Sequence, residues 1–392
     1  MHTLSSRLRL GFSLALAGLA LAPVAAQAQT YTLTDLGFLP GGTSGIGQAV
    51  NNSGQVTGDD QVLSGSSHVF VSGPNGGTLR DLGTLPGGGA IHGEGINDTG
   101  QVAGWALTAN GSYHALLSGP NGGTLRDLGI LDGSETAAHG VNASGQVVGE
   151  GNKANGDRVG FLSGPNGGVL HELGDLGTHY TIGSAVNDSG QVTGFSTTAT
   201  GFEHAFLSGP NGAALTAAND LGTLGGHRSA GAHVNASGQV TGISNTTDDK
   251  TTHAFLFSGG AMTDLGTLPG DFDSAGSGIN AAGQVVGSSG TGIGRHAFLF
   301  FNGVMTDLNT LIAPGLGYTL RAANGISDSG FITGLAVNRS GQVRAFLLTP
   351  APNPVPESST AISLGLLLTL ALGGLVVFRR KGVLTPNGND RA

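Results

Sequence analysis

An all-β fold, specifically a seven-bladed β-propeller closed by its N-terminal strand, follows from three observations on the sequence. The phrase "VNASGQVVG" at Val141–Gly149 returns seven times with small changes, its turn Gly falling at Gly54, Gly100, Gly145, Gly190, Gly238, Gly283 and Gly330. Two other motifs keep step with it: "DLG" or a relative at Asp35, Asp81, Asp127, Asp175, Asp220, Asp264 and Asp307, and "HAF" or a relative at His68, His114, Val159, His204, His253, His296 and Arg344. The series is also cut. It opens with "YTLTDLG", which has no unit before it, and ends with "VRAFLLTP", which has no "DLG" after it.

Each element has a local reason. In "NDSG" (Asn187–Gly190) the Asn opens a type I turn and the Gly takes the positive-φ position that closes it, so the flanking β-formers make a hairpin. "HAFLF" (His253–Phe257) is a short apolar run between turns, as expected of a strand buried on both faces. "SGPNGG" and its relatives are turn chemistry leading to "DLG". Four short antiparallel strands in about 45 residues is the size of a propeller blade. The cut ends then complete one blade between them, which removes exposed sheet edges; an open solenoid would want capping repeats instead. Small residues two and four places before the turn, such as Gly93 and Gly95 or Gly276 and Gly278, suit inner strands crowded toward an axis, with His233 the exception.

Composition agrees. Of 392 residues 73 are Gly and 10% are charged, yet 38% are hydrophobic, more than a disordered chain carries. Residues 31–350, the expected propeller, hold 10 Lys/Arg against 23 Asp/Glu, which excludes the cationic footprint of a nucleic-acid binder. There is no Cys, so disulfides and thiolate metal sites are excluded.

Both ends read as addresses. Arg7 and Arg9, the apolar run Leu10–Leu21 and the small-x-small site Ala26-Gln27-Ala28 predict a signal peptide over residues 1–28 and a Sec-type export route. A Pro-rich linker (351–360) precedes an uncharged stretch, Ala361–Phe378, long enough as a helix to cross a membrane. Arg379-Arg380-Lys381 begins a basic tail (379–392) expected on the cytoplasmic side of the inner membrane.

The repeats resemble those of the HAF-repeat extracellular proteins over nearly all of Tyr31–Thr349, and Val355-Pro356-Glu357, the apolar stretch and the basic cluster resemble a PEP-CTERM sorting signal, with Ser358 standing where the family has a second Pro. The resemblance implies processing by an exosortase and a place at the cell surface or in the extracellular matrix. It implies no catalytic residues.

The repeated His and Asp occur once per unit at one framework position, so they are expected to satisfy one another within units rather than converge on a reaction centre. "LPGGG" (Leu85–Gly89) lacks the Lys-Ser/Thr of a phosphate loop, and the Asn-x-Ser/Thr triplets coincide with hairpin turns. Variation gathers between "DLG" and the next inner strand: His92 and Glu94, His139, His179, His227 and Arg228, Asp271 and Asp273, Tyr318 and Arg321. These are the expected ligand-binding residues, on loops at one mouth of the channel. No cofactor or metal is expected, because no histidine pair has ligand spacing. The expected function is non-catalytic binding of exopolysaccharide or an envelope component; the alternative is a propeller enzyme, a lyase or hydrolase acting on glycans.

Overall fold

The computed structural model describes residues 29–63, 66–291 and 294–352. The expected signal cleavage site at Ala26 and Ala28, the motif Val355, Pro356 and Glu357, and residues 358–392 lie outside them. Among the described residues no helix is long and apolar enough to cross a membrane; the expected transmembrane stretch, Ala361–Phe378, lies outside them.

The described chain is a β-propeller. Its repeat units run outward from an inner strand, as in the first: Gly42–Val50, Val56–Val62, Ser67–Ser72 and Leu79–Asp81, each antiparallel to the one before. The other inner strands are Ile91–Ile96, Thr136–Val141, Gly177–Val186, Gly225–Val234, Ser274–Ile279 and Tyr318–Ile326. Closure is as expected: Tyr31–Asp35 pairs antiparallel with Val343–Pro350, from Tyr31 opposite Pro350 to Asp35 opposite Phe346.

The expectation of seven separate blades is corrected. Five units form four-stranded blades, and the third and fourth units share one seven-stranded sheet. Two features of the sequence cause this. Only residues 173–176 connect the third unit's outer strand, Leu170–Glu172, to the next inner strand, which is drawn in so that Tyr180 bridges Arg158. In the fourth unit three extra residues separate His204 from its acid (16 positions, against 13 for His68 and Asp81), and the outer strand is reduced to a single bridge, Phe206 to Asp220.

The core is divided among the gaps between units. Seven apolar clusters each join one unit to the next, for example Val69, Val71, Leu85, Ile91, Val102 and Leu116 between the first and second. The "HAF" Phe explains itself here: Phe70, Phe161, Phe206, Phe255, Phe298 and Phe346 are all buried. Each contributes about 1.5–3 kcal/mol by leaving water.

Candidate functional site

The repeated polar residues hold the ring together. Asn235 is typical: its Oδ1 accepts from the backbone of Ser237 (3.1 Å) and Gln239 (3.0 Å), while its Nδ2 donates to the carbonyl of Asn280 in the next unit (3.0 Å). Asn51, Asn97, Asn142 and Asn187 do the same, each reaching the next carbonyl in the series. Asn280 reaches Ser327, and the backbone of Ser329 closes the circle on Asn52 Oδ1 (3.0 Å). The phrase thus makes a turn and a staple from one side chain. The histidines pair within their units as expected: His68 with Asp81, His114 with Asp127, His204 with Asp220, His253 with Asp264 and His296 with Asp307, at 2.8–3.0 Å. Arg344 makes the same pair across the closure with Asp35 (2.9 Å), which also accepts from the Tyr318 hydroxyl (2.7 Å). Burial pushes the Asp35 carboxyl up, but these bonds outweigh it and hold it below its usual range. In the third unit the counterpart of "DLG" is Glu172, opposite Phe161 as Asp81 is opposite Phe70; Asp175, placed there by sequence spacing, instead meets His179 at 3.0 Å.

A channel runs through the ring, with a cavity of about 450 Å³ lined by every inner strand. Every inner strand shifts register just before its turn, between Gly93 and Gly95 or between Gly276 and Gly278, for example. The residue left over at each bulge lines the lumen: Gln48, Glu94, His139, Ser184, Ala232, Ser277 and Asn324. Bulges re-aim side chains, and here they aim one per unit at the axis. The small residues on either side are needed for close approach: a Cβ on Gly95 would lie 3.0 Å from Gly140 Cα, and one on Gly231 would lie 2.2 Å from Thr193 Oγ1.

The expected ligand residues are placed differently from the expectation. Eight of the ten lie in inner strands, with only Asp271 and Asp273 in a connection. His92, Glu94 and His139 come together. His227 pairs with Asp249, and Arg228 with Glu203 at 3.4 Å; Asp271 accepts from Ser289 Oγ (2.8 Å), Asp273 from the Thr252 backbone (3.0 Å), and Arg321 donates to the Arg295 carbonyl (3.4 Å). Asp271, Asp273 and Tyr318 therefore serve the framework.

The strongest site is a cleft of about 420 Å³ between the second and third units, lined by Trp105, Tyr113, Glu135, His139, Glu150, Asn152 and Arg158 among others. Its aromatic side is built from adjacent strands, Val102–Leu107 and Tyr113–Ser118; Tyr113 stands edge-on to Trp105 with ring centres 5.0 Å apart. His92 stacks on Trp105 at 4.1 Å. Asp59 lies 3.3 Å from His92 Nδ1 and holds that imidazole above its usual range despite partial burial. The polar side comes from Val147–Asn152 and Arg158–Ser163. Glu150, its side chain 8% exposed, pairs through Oε1 with Arg158 Nη2 and lies 3.9 Å from His139 Nε2. Burial pushes the Glu150 carboxyl up, but His139 and Arg158 beside it prevail and hold it below the usual range. Glu94 is pushed up by burial, which the nearby His139 only partly opposes.

Four buried side-chain polar atoms lack a hydrogen-bond partner among the described residues, and three belong to this cleft: His139 Nε2, Glu150 Oε2 and Arg158 Nε. His139 also lines the channel, so it stands between the two cavities. Among the described residues no group of three or more His, Cys, Asp or Glu could hold a metal ion.

Sequence reading missed Trp105, Tyr113, Glu150 and Arg158. A signal was present: Trp105 is the sole Trp, and at the place after the "QVxG" Gly the units carry Asp59, Trp105, Glu150, Phe195, Ile243, Ser288 and Leu335, a variable column inside a regular phrase. No known protein family matches the chain, and neither does any curated protein. In shape it is similar to solved β-propeller proteins. One is YCF48 bound to D1 peptide, 12% identical with TM-score 0.49, covering 84% of this chain and 98% of that one. Another is TolB from Acinetobacter baumannii, 12% identical with TM-score 0.43, covering 80% of this chain and 65% of that one. A prolyl endopeptidase is 9% identical with TM-score 0.48, covering 83% of this chain and 51% of that one. The likeness assigns no ligand.

Proposed function

We propose that this propeller is an exported, non-catalytic binding protein of the cell surface or extracellular matrix, and that it holds polysaccharide in the cleft between its second and third units. One observation carries the reading: an aromatic wall and an ion pair with a buried carboxylate and unspent hydrogen-bonding capacity line one cleft. A sugar ring has an apolar C–H face that packs on an aromatic ring, and hydroxyls that both donate and accept. Sites that bind small polar rings combine such a surface with a few convergent polar groups. The export address rests on the N-terminal residues 1–28 and on the family resemblance of the repeats.

A second reading, a glycan hydrolase or lyase, draws on Glu94 and Glu150, two carboxyls near His139 whose environments push them in opposite directions. One experiment separates the two. The protein is incubated with polysaccharide from the producing cells, and both retention and chain length are measured. Retention with unchanged length, lost in Trp105→Ala, is the expected result. New chain ends would transfer the cleft to the enzymatic reading, and no retention would remove the polysaccharide.

A further inference from the structure

We infer that the cleft selects a neutral sugar presenting two adjacent hydroxyls, and that Arg158 turns to receive it; this rests on the cleft being the saccharide site. An Arg facing a carboxylate ordinarily makes two parallel bonds. Here the pair makes one, Arg158 Nη2 to Glu150 Oε1, and leaves Nε without an acceptor and Oε2 without a donor. A half-made fork offers one donor and one acceptor, which is the complement of a hydroxyl. His139 Nε2, which lies 3.9 Å from Glu150 Oε1 and has no hydrogen-bond partner, provides for a second hydroxyl on the neighbouring carbon.

Leaving buried polar atoms unpaired is costly, and a ligand that pairs them recovers that cost. None of the three is open to water in this arrangement. The Glu150 side chain is 8% exposed, whereas the Arg158 side chain is 41% exposed and reaches the solvent edge of the cleft. Ligand entry therefore goes with a small turn of the guanidinium that opens Nε and Glu150 Oε2 to the sugar while Nη2 keeps its bond to Oε1. The charge balance of the cleft excludes an acidic sugar: Glu135 and Glu150 face one guanidinium, which Glu150 already neutralises. Trp105, stacked on His92, supplies the flat surface for the opposite, C–H face of the ring.

Trp105 is the only Trp in the chain, so its fluorescence reports occupancy of the cleft directly. The neutral fraction of the producing cells' polysaccharide is titrated before and after periodate oxidation and borohydride reduction, which cleave vicinal diols and leave the polymer uncharged. The uronic-acid-rich fraction is titrated beside it. The expected result is saturable binding of the intact neutral polymer, at least tenfold weaker binding after periodate, and at least tenfold weaker binding of the acidic fraction. Arg158→Lys, which keeps the charge and removes the Nε donor, should weaken the neutral polymer about tenfold at unchanged melting temperature. Equal binding before and after periodate, or acidic polymer bound as well as neutral, would overturn the inference while leaving a saccharide site in place. Failure of every fraction to bind would overturn it together with the saccharide reading.

Discussion

The third and fifth units carry the same phrase and do different work. In the fifth, the framework pairing is complete: His253 pairs with Asp264, Phe255 fills the gap to its neighbour, and four strands, Gly225–Val234 to Ala261–Asp264, form one blade. In the third, Val159 replaces the His, Glu172 replaces the Asp and turns instead to Lys153 (2.8 Å), and the sheet runs on into the next unit. What the third unit has in exchange is Glu150 and Arg158 against an aromatic neighbour. Regularity marks what stabilises the ring; departure from it marks the place where the ring offers something to a ligand.

This contrast can be broken at several levels. The largest effect is expected at the closure. Deleting Tyr31–Gly37 removes a strand, the Asp35–Arg344 pair and the Tyr31 ring, and exposes the edge of Val343–Pro350. Thermal melting should fall by more than about 10 °C or the chain should fail to fold; a change within a degree or two would mean that the ring does not depend on its last pairing.

Asn235→Ala comes next. The residue is 5% exposed, and its side chain makes bonds both within its turn and to Asn280. Denaturant unfolding should show a loss of about 2–4 kcal/mol, from buried groups left unpaired. A loss below about 0.5 kcal/mol would reduce the Asn series from staple to ordinary turn residue.

His253→Ala should cost less, about 0.5–1 kcal/mol, because Asp264 is 44% exposed and solvent screens the pair. Polysaccharide retention should be untouched. Lost retention at full stability would mean that framework and site have been exchanged.

The smallest effect belongs to Glu94. Its folded-state pKa is raised above its unfolded one, so its contribution to stability is fully present below the ordinary Glu range and lost as pH rises through the folded value. Glu94→Gln should therefore melt about 1–2 °C higher than the parent at neutral pH and level with it at pH 4. Equal melting at both values would mean that the lumen does not disfavour the charge.

The ring was legible in the sequence because it is repetitive. Seven turns, seven "DLG" relatives and two cut ends suffice to predict inner hairpins, buried Phe strands and closure by Tyr31–Asp35. The sheet count was not legible, since it depends on a four-residue connection and a three-residue insertion that leave the motifs themselves intact. Part of the site was found for an incomplete reason. The sequence places Glu94 and His139 in loops, yet they reach the lumen because a bulge turns them there. Trp105, Glu150 and Arg158 were hidden because each sits in a different strand and only the stacking of units brings them together.

The central claim is that ligand enters the cleft beside Trp105. Its most direct test is a titration of the intrinsic Trp fluorescence with polysaccharide from the producing cells, run in parallel with a retention assay on the same samples. The account predicts a saturable spectral change whose midpoint matches that of retention, since the sole Trp lines the binding cleft. Full retention with an unchanged Trp spectrum would place the ligand elsewhere on the ring and contradict the account.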